Sequence, residues 1–128
     1  MAGSMINYLL VGAGGAVGAM ARYGVGRALP FGGWPWATFA VNIAGGLLMG
    51  LVVGWLALRG GPGQEPWRLF LAVGVLGGFT TFSAFSLEMV LMVERGKPGQ
   101  ALLYAGASAL LAALALMLGL WLVREISA

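Results

Sequence analysis

Leu69-Phe70-Leu71-Ala72-Val73-Gly74-Val75-Leu76-Gly77-Gly78-Phe79-Thr80-Thr81-Phe82-Ser83-Ala84-Phe85-Ser86-Leu87 is a stretch of nineteen residues without a charge. At about 1.5 Å per residue, a helix of that length crosses the ~30 Å hydrocarbon core of a bilayer. Its second half is not what an anchor needs. Gly77 to Ser86 holds two glycines, four hydroxyls and three phenyl rings. Such residues cost helix stability and desolvation at membrane depth, so they point to a pathway or a binding site.

The rest of the chain agrees with a membrane setting. It is 60% hydrophobic and 9% charged, with a mean hydropathy of +0.93, far from the composition of a soluble domain. Four apolar runs, at 6–29, 36–58, 67–93 and 100–123, each reach the roughly 20 residues a spanning helix requires. The segments between them are short and rich in breakers: Pro30 to Pro35, Arg59 to Pro66, and Glu94 to Gly99. Proline and paired glycine do not extend a helix. Trp34, Trp36, Trp67 and Trp121 fall near the ends of the runs, where an amphipathic indole suits the headgroup level. Met1 to Ser4, ahead of a second methionine, reads as an extraneous leader. The first run is too long for a signal peptide and has no basic leader, so it is expected to be retained. The expected fold is an all-α integral membrane protein with four transmembrane helices in a single domain and a break in the third.

Composition also excludes chemistry. With no cysteine and no histidine, disulfides, thiolate metal sites, cysteine nucleophiles and imidazole acid–base catalysis are all absent. The four acidic residues, Glu65, Glu88, Glu94 and Glu125, are scattered rather than paired, which argues against an enzyme. A net charge of +3 spread over helix ends gives no basic face for nucleic acid.

The positive charges are balanced across the membrane. If the helices alternate, Arg59, Arg68 and Arg124 lie on one side and Arg22, Arg27, Arg95 and Lys97 on the other. Three against four is almost no bias, and the lysine/arginine asymmetry normally fixes insertion. The chain is therefore expected to insert both ways up, and such a protein is completed by pairing two copies antiparallel. The plainer alternative is that Arg22 and Arg27 are weak signals and something else sets orientation. Small-xxx-small spacings at Gly12, Gly14, Gly15 and Gly18, and at Gly46 and Gly50, allow close helix approach and favour a dimer.

Several polar and aromatic residues are placed to meet an ion. Phe82 and Phe85 are three apart and share a helix face. A phenyl ring is positive at its edge, so stacked edges can touch a small anion without gripping it. Packing alone accounts for most such pairs, but here a Gly-Gly-x-Thr-Thr break precedes them. Gly77 and Gly78 each weaken the helix by about 1 kcal/mol, and an unwound turn frees carbonyls that suit a hard cation such as Na⁺. Asn42 is a lone amide in the second run, with Thr38 one turn earlier. Tyr104 and Ser108 are one turn apart in the fourth. Arg22 either lends positive potential to a vestibule or snorkels to the interface. Glu88, one turn beyond Phe85, is a carboxylate near a presumed anion path, and its role is open.

Taken together, Gly18-Ala19-x-x-Arg22, Thr38-x-x-x-Asn42, Gly77-Gly78-Phe79-Thr80-Thr81-Phe82-Ser83-x-Phe85-Ser86-x-Glu88 and Tyr104-x-x-x-Ser108 resemble the small dual-topology fluoride channels of the CrcB/Fluc family. The resemblance covers nearly the whole chain. It implies passive fluoride export through two pores of an antiparallel homodimer in a bacterial or archaeal plasma membrane. A structural, non-transported Na⁺ would sit at the dimer centre on the carbonyls of Gly77 and Thr80. Phe82, Phe85, Asn42, Thr38, Tyr104 and Ser108 would line the fluoride path, with Arg22 at its vestibule. Ala37, Ala84 and Ala112 depart from the family pattern; the last shortens a hydroxyl track after Ser108. The competing class is a four-helix multidrug/proton exchanger, which would need a membrane-embedded glutamate in the first helix. None is there.

Overall fold

In the computed structural model, which describes residues 2–30 and 32–127, the chain is built of helices. Met1, Phe31 in the first connection, and Ala128 lie outside the described residues. The first helix is Ala2–Ala28 and the second Trp36–Arg59. The third span runs from Pro62 to Glu94 with an interruption, and the fourth helix is Pro98–Ser127. All four are long and apolar enough to cross a bilayer. The apolar runs in the sequence locate them to within a few residues. Among the described residues there is no strand.

Packing sorts the helices into two close pairs. The first lies along the upstream part of the third span, and the second along the fourth. Both contacts depend on missing side chains. A Cβ on Gly14 would meet the carbonyl of Phe70 and come within 2.9 Å of the Val75 nitrogen, and one on Gly18 would run into the Val75 carbonyl. From the opposite side, Gly74 and Gly78 leave room for the backbone of Gly14 and Gly15. In the second pair, Gly46 and Gly50 press on the carbonyls of Ala112 and Leu116, and Gly119 faces Leu47 and Leu51. The small-residue spacings that favoured a dimer in the sequence are thus used inside one chain. Gly12 is the exception, with nothing within 4 Å of its would-be Cβ.

The third span departs from a plain helix in two ways. Arg68–Leu76 is wound as a π-helix, an arrangement seen mostly as short insertions near functional sites. The break also comes later than the double glycine: Gly77–Phe79 is still helical, and Thr80 is extended at φ −84°, ψ 159°. The helix resumes as Ser83–Glu94. The reason is that Gly78 is spent on close approach to the first helix, while the threonines take over the backbone bonds. Thr80 Oγ1 donates to the Leu76 carbonyl at 2.9 Å, and the Ala84 N–H donates to Thr81 Oγ1 at 3.2 Å.

Trp34, expected at a span end with three other indoles, is the partly buried one of the four. It turns inward from the first connection onto Phe39 and Tyr104, each ring centroid 5.3 Å away. Trp36, Trp67 and Trp121 remain about half exposed at span ends.

These contacts predict an asymmetry between glycines on one helix. Gly18→Ala is expected to destabilise the protein by about 1–3 kcal/mol, because a methyl group must displace backbone. Gly12→Ala is expected to be neutral or mildly stabilising. Thermal unfolding of both variants in detergent checks this.

Candidate functional site: a polar break between helices

The break at 80–82 is held by side chains from two other helices. Asn42, on the second helix, pairs with Thr81 as one strand pairs with another. Its Oδ1 accepts the Thr81 N–H at 2.9 Å and its Nδ2 donates to the Thr81 carbonyl at 3.0 Å. One amide hydrogen of Asn42 is then left for another acceptor. Arg22, on the first helix, donates through Nε to the Gly78 carbonyl at 3.1 Å. Its guanidinium thereby caps the last turn before the break. Gly45, directly below Asn42 in the sequence of the second helix, leaves space that the Thr80 methyl fills.

Three carbonyls at the break are not covered in this way, those of Gly77, Phe79 and Thr80. The helical partner of Gly77 would be the N–H of Thr81, and that of Thr80 would be the N–H of Ala84. Asn42 and the Thr81 hydroxyl have taken those donors. None of the three accepts a hydrogen bond from a described residue. Gly77, Phe82 and Ser83 are exposed on the outside of the chain, with Phe82 78% exposed.

Asn42, Phe82, Phe85 and Ser108 meet at one cavity of ≈ 330 Å³, with Thr80 and Ala112 also on its wall. The Phe82 and Phe85 centroids are 5.8 Å apart and inclined by 46°. Phe82 stands at the N-cap of the resumed helix rather than within it; the break still delivers both rings to the same side. Ser108 is 5% exposed, and its hydroxyl has no partner among the described residues. A buried hydroxyl left without a partner is costly unless something visits it. The first turn of the helix at Ser83 adds N–H groups and a positive dipole end on this side.

Thr38 and Tyr104 belong to an adjoining arrangement. Both hydroxyls donate to Glu88: Thr38 to Oε1 and Tyr104 to Oε2, each at 2.7 Å. Glu88 is therefore the residue whose role the sequence left open, and its role is to tie the second and fourth helices to the third. The i+3 step from Phe85 was the only sign of it. Tyr104 is fully buried and rests against Phe85 at 5.1 Å, so the Glu88 cluster borders the phenyl pair. Thr38 also lines a ≈ 560 Å³ cavity with Arg22, Arg27, Thr81 and Ala84, in which both charged residues are cations. Arg27 had not been singled out.

Of the residues named from the sequence, Arg22, Asn42, Gly77, Thr80, Phe82, Phe85 and Ser108 lie at the break or its cavity, and Thr38 and Tyr104 at the adjoining Glu88 cluster. Among the described residues no group of three or more acidic side chains is placed to hold a metal. The family model for CrcB-like protein, Camphor Resistance (CrcB), matches residues 9–120. The chain belongs to the CrcB family. It is 61% identical over 123 residues to the fluoride-specific ion channel FluC of Phenylobacterium zucineum, covering 94% of this chain and 97% of that one. It is 57% identical to the FluC of Hyphomonas neptunium, over 97% and 100% of the two chains. The FluC of Caulobacter vibrioides matches at 55% over 97% and 100%. As a CrcB protein with four spanning helices, the molecule is a multi-pass integral membrane protein.

The Asn42–Thr81 pairing yields a stability prediction. Asn42→Ala leaves both backbone groups of Thr81 unpaired in a dry setting and is expected to cost about 2–4 kcal/mol. Ser86→Ala, which removes only a local bond to the Phe82 carbonyl, is expected to cost about 1 kcal/mol or less. Chemical unfolding in detergent separates the two.

Proposed function

We propose that this protein is a fluoride-selective channel that lets fluoride leave the cell passively and so lowers its cytoplasmic concentration. The observation that carries the reading is the cavity where Asn42, Phe82 and Phe85 meet the unpartnered Ser108 hydroxyl. The names of the relatives support it. As a member of a family whose relatives are named ion channels, it is a channel and not an enzyme.

An anion gathers at the cavity of Arg22 and Arg27, where like cations raise its local concentration. It passes Thr38 toward the phenyl pair. There it exchanges water for ring edges, the spare Asn42 hydrogen and the Ser108 hydroxyl. Each is a weak donor, which permits entry without trapping. Glu88 does not block the way as a free charge, because two hydroxyls already engage its oxygens. Tyr104 thereby holds the wall beside Phe85.

Two chains pair antiparallel and present two pores, in the bacterial inner membrane. The uncovered outer side of the break supports pairing, since open backbone is not tolerated against lipid. The free carbonyls of Gly77 and Thr80 fit a structural Na⁺ on the two-fold axis, two from each chain. When bound, the cation supplies positive charge at mid-membrane, and these carbonyls alone hold it.

Liposomes loaded with KF and containing the purified protein are expected to lose fluoride rapidly after valinomycin is added, with chloride retained in a KCl control. No fluoride loss from folded protein overturns the reading. Glu88→Gln is expected to keep fluoride flux independent of a proton gradient; proton-coupled flux abolished in that variant would instead indicate an exchanger. Ala112→Ser, next to Ser108 on the cavity wall, is expected to raise conduction by a factor on the order of three, from one added hydrogen bond. Flux measured by fluoride electrode decides it, and no change would remove the fourth-helix hydroxyls from the path.

A further inference from the structure

Trp34 is the one indole that leaves its end of the span for the interior, and the connection is shaped to send it there. Gly32 and Gly33 adopt φ +91° and +61°, values that L side chains disfavour. The Trp36 N–H then donates to the Trp34 carbonyl at 2.9 Å, closing the turn. The indole stands edge-on to Tyr104 at 5.3 Å and 85°, and to Phe39 at 5.3 Å and 81°. Tyr104 in turn touches Phe85 at 5.1 Å and donates to Glu88 at 2.7 Å. A continuous chain of contacts runs from the connection to the phenyl pair.

The indole also borders a second cavity, of ≈ 240 Å³, shared with Thr38, Glu88 and Arg95. That space is large enough for several waters. The Trp34 Nε1 is buried with no partner among the described residues.

We propose that Trp34 is a positioning residue for permeation: its ring fixes Tyr104 so that the phenol stays on Glu88 and the ring stays against Phe85. The proposal rests on the channel reading above. It acts through Tyr104, not by contact with the anion. Edge-on aromatic contacts have the strength to matter here and the direction to set one ring orientation.

The test is a double-mutant cycle on fluoride flux in liposomes. Trp34→Leu is expected to lower flux about tenfold, and Trp34→Phe, which keeps an aromatic edge, by about twofold or less. In a Tyr104→Phe background, which has no phenol to hold, Trp34→Leu is expected to add little. If the leucine variant does not assemble, Trp34→Met, a flexible apolar chain without the ring, carries the same weight. A further loss of the full tenfold in the Tyr104→Phe background, or unchanged flux in a folded Trp34→Leu protein, overturns the proposal. A second readout is independent of conduction. In protein labelled with 3-fluorotyrosine, Tyr8 and Tyr23 are exposed and Tyr104 is buried, so the Tyr104 fluorine signal, assigned with Tyr104→Phe, stands apart. Trp34→Leu is expected to shift it in the same direction as Glu88→Gln. No shift overturns the proposal even if the channel conducts. A wild-type protein that passes no fluoride overturns the channel reading, while the fluorine signal still decides the role of Trp34.

Discussion

Everything near the centre of this molecule follows from one constraint: backbone polar groups at membrane depth must find partners without water. A helix meets it by itself, and a broken helix does not. The chain breaks its third span at Thr80 to Phe82 and then supplies the missing partners from elsewhere. Asn42 takes both groups of Thr81, Arg22 takes the Gly78 carbonyl, and the threonine hydroxyls take two more. The polar residues of three helices are therefore fixed by the break before they are free to do anything else. Among the groups left unpaired after that are the carbonyls of Gly77, Phe79 and Thr80, one hydrogen of Asn42, and the hydroxyl of Ser108.

That remainder divides by chemistry. The carbonyls are negative ends, suited to a cation, and Gly77 is exposed on the outside of the chain. The amide hydrogen and hydroxyl are positive ends turned into a cavity with two phenyl rings, suited to an anion. One interruption thus separates two ion preferences a short distance apart. The helix pairs keep them separate because glycine contacts hold the first helix on one side of the break and the second and fourth on the other.

The four spans were legible from hydropathy, because a bilayer demands length and apolarity in a continuous run. The residues around the break were legible too, since glycines, hydroxyls and an amide are conspicuous against such a background. What the residues do to one another was not. Periodicity put Phe82 on a helix, but it caps one. The double glycine marked the region of the break, but the unwinding falls on the threonines because Gly78 is committed to packing against Gly15. The glycine spacings that argued for a dimer serve contacts within the chain. Glu88 remained open because its partners, Thr38 and Tyr104, are 50 and 16 residues away, and no local pattern connects them. Trp34 resembled any interfacial indole, and only the turn at Gly32 and Gly33 sends it inward.

The bond from Arg22 to the Gly78 carbonyl also alters how the chain is addressed to the membrane. Gly78 is the midpoint of the third span, so the Arg22 guanidinium is tied to that depth and not displayed in a loop. Set aside from the tally, it leaves Arg59, Arg68 and Arg124 against Arg27, Arg95 and Lys97 if the spans alternate. Three against three would be no charge bias at all, and a single lysine gained in either set of loops would create one.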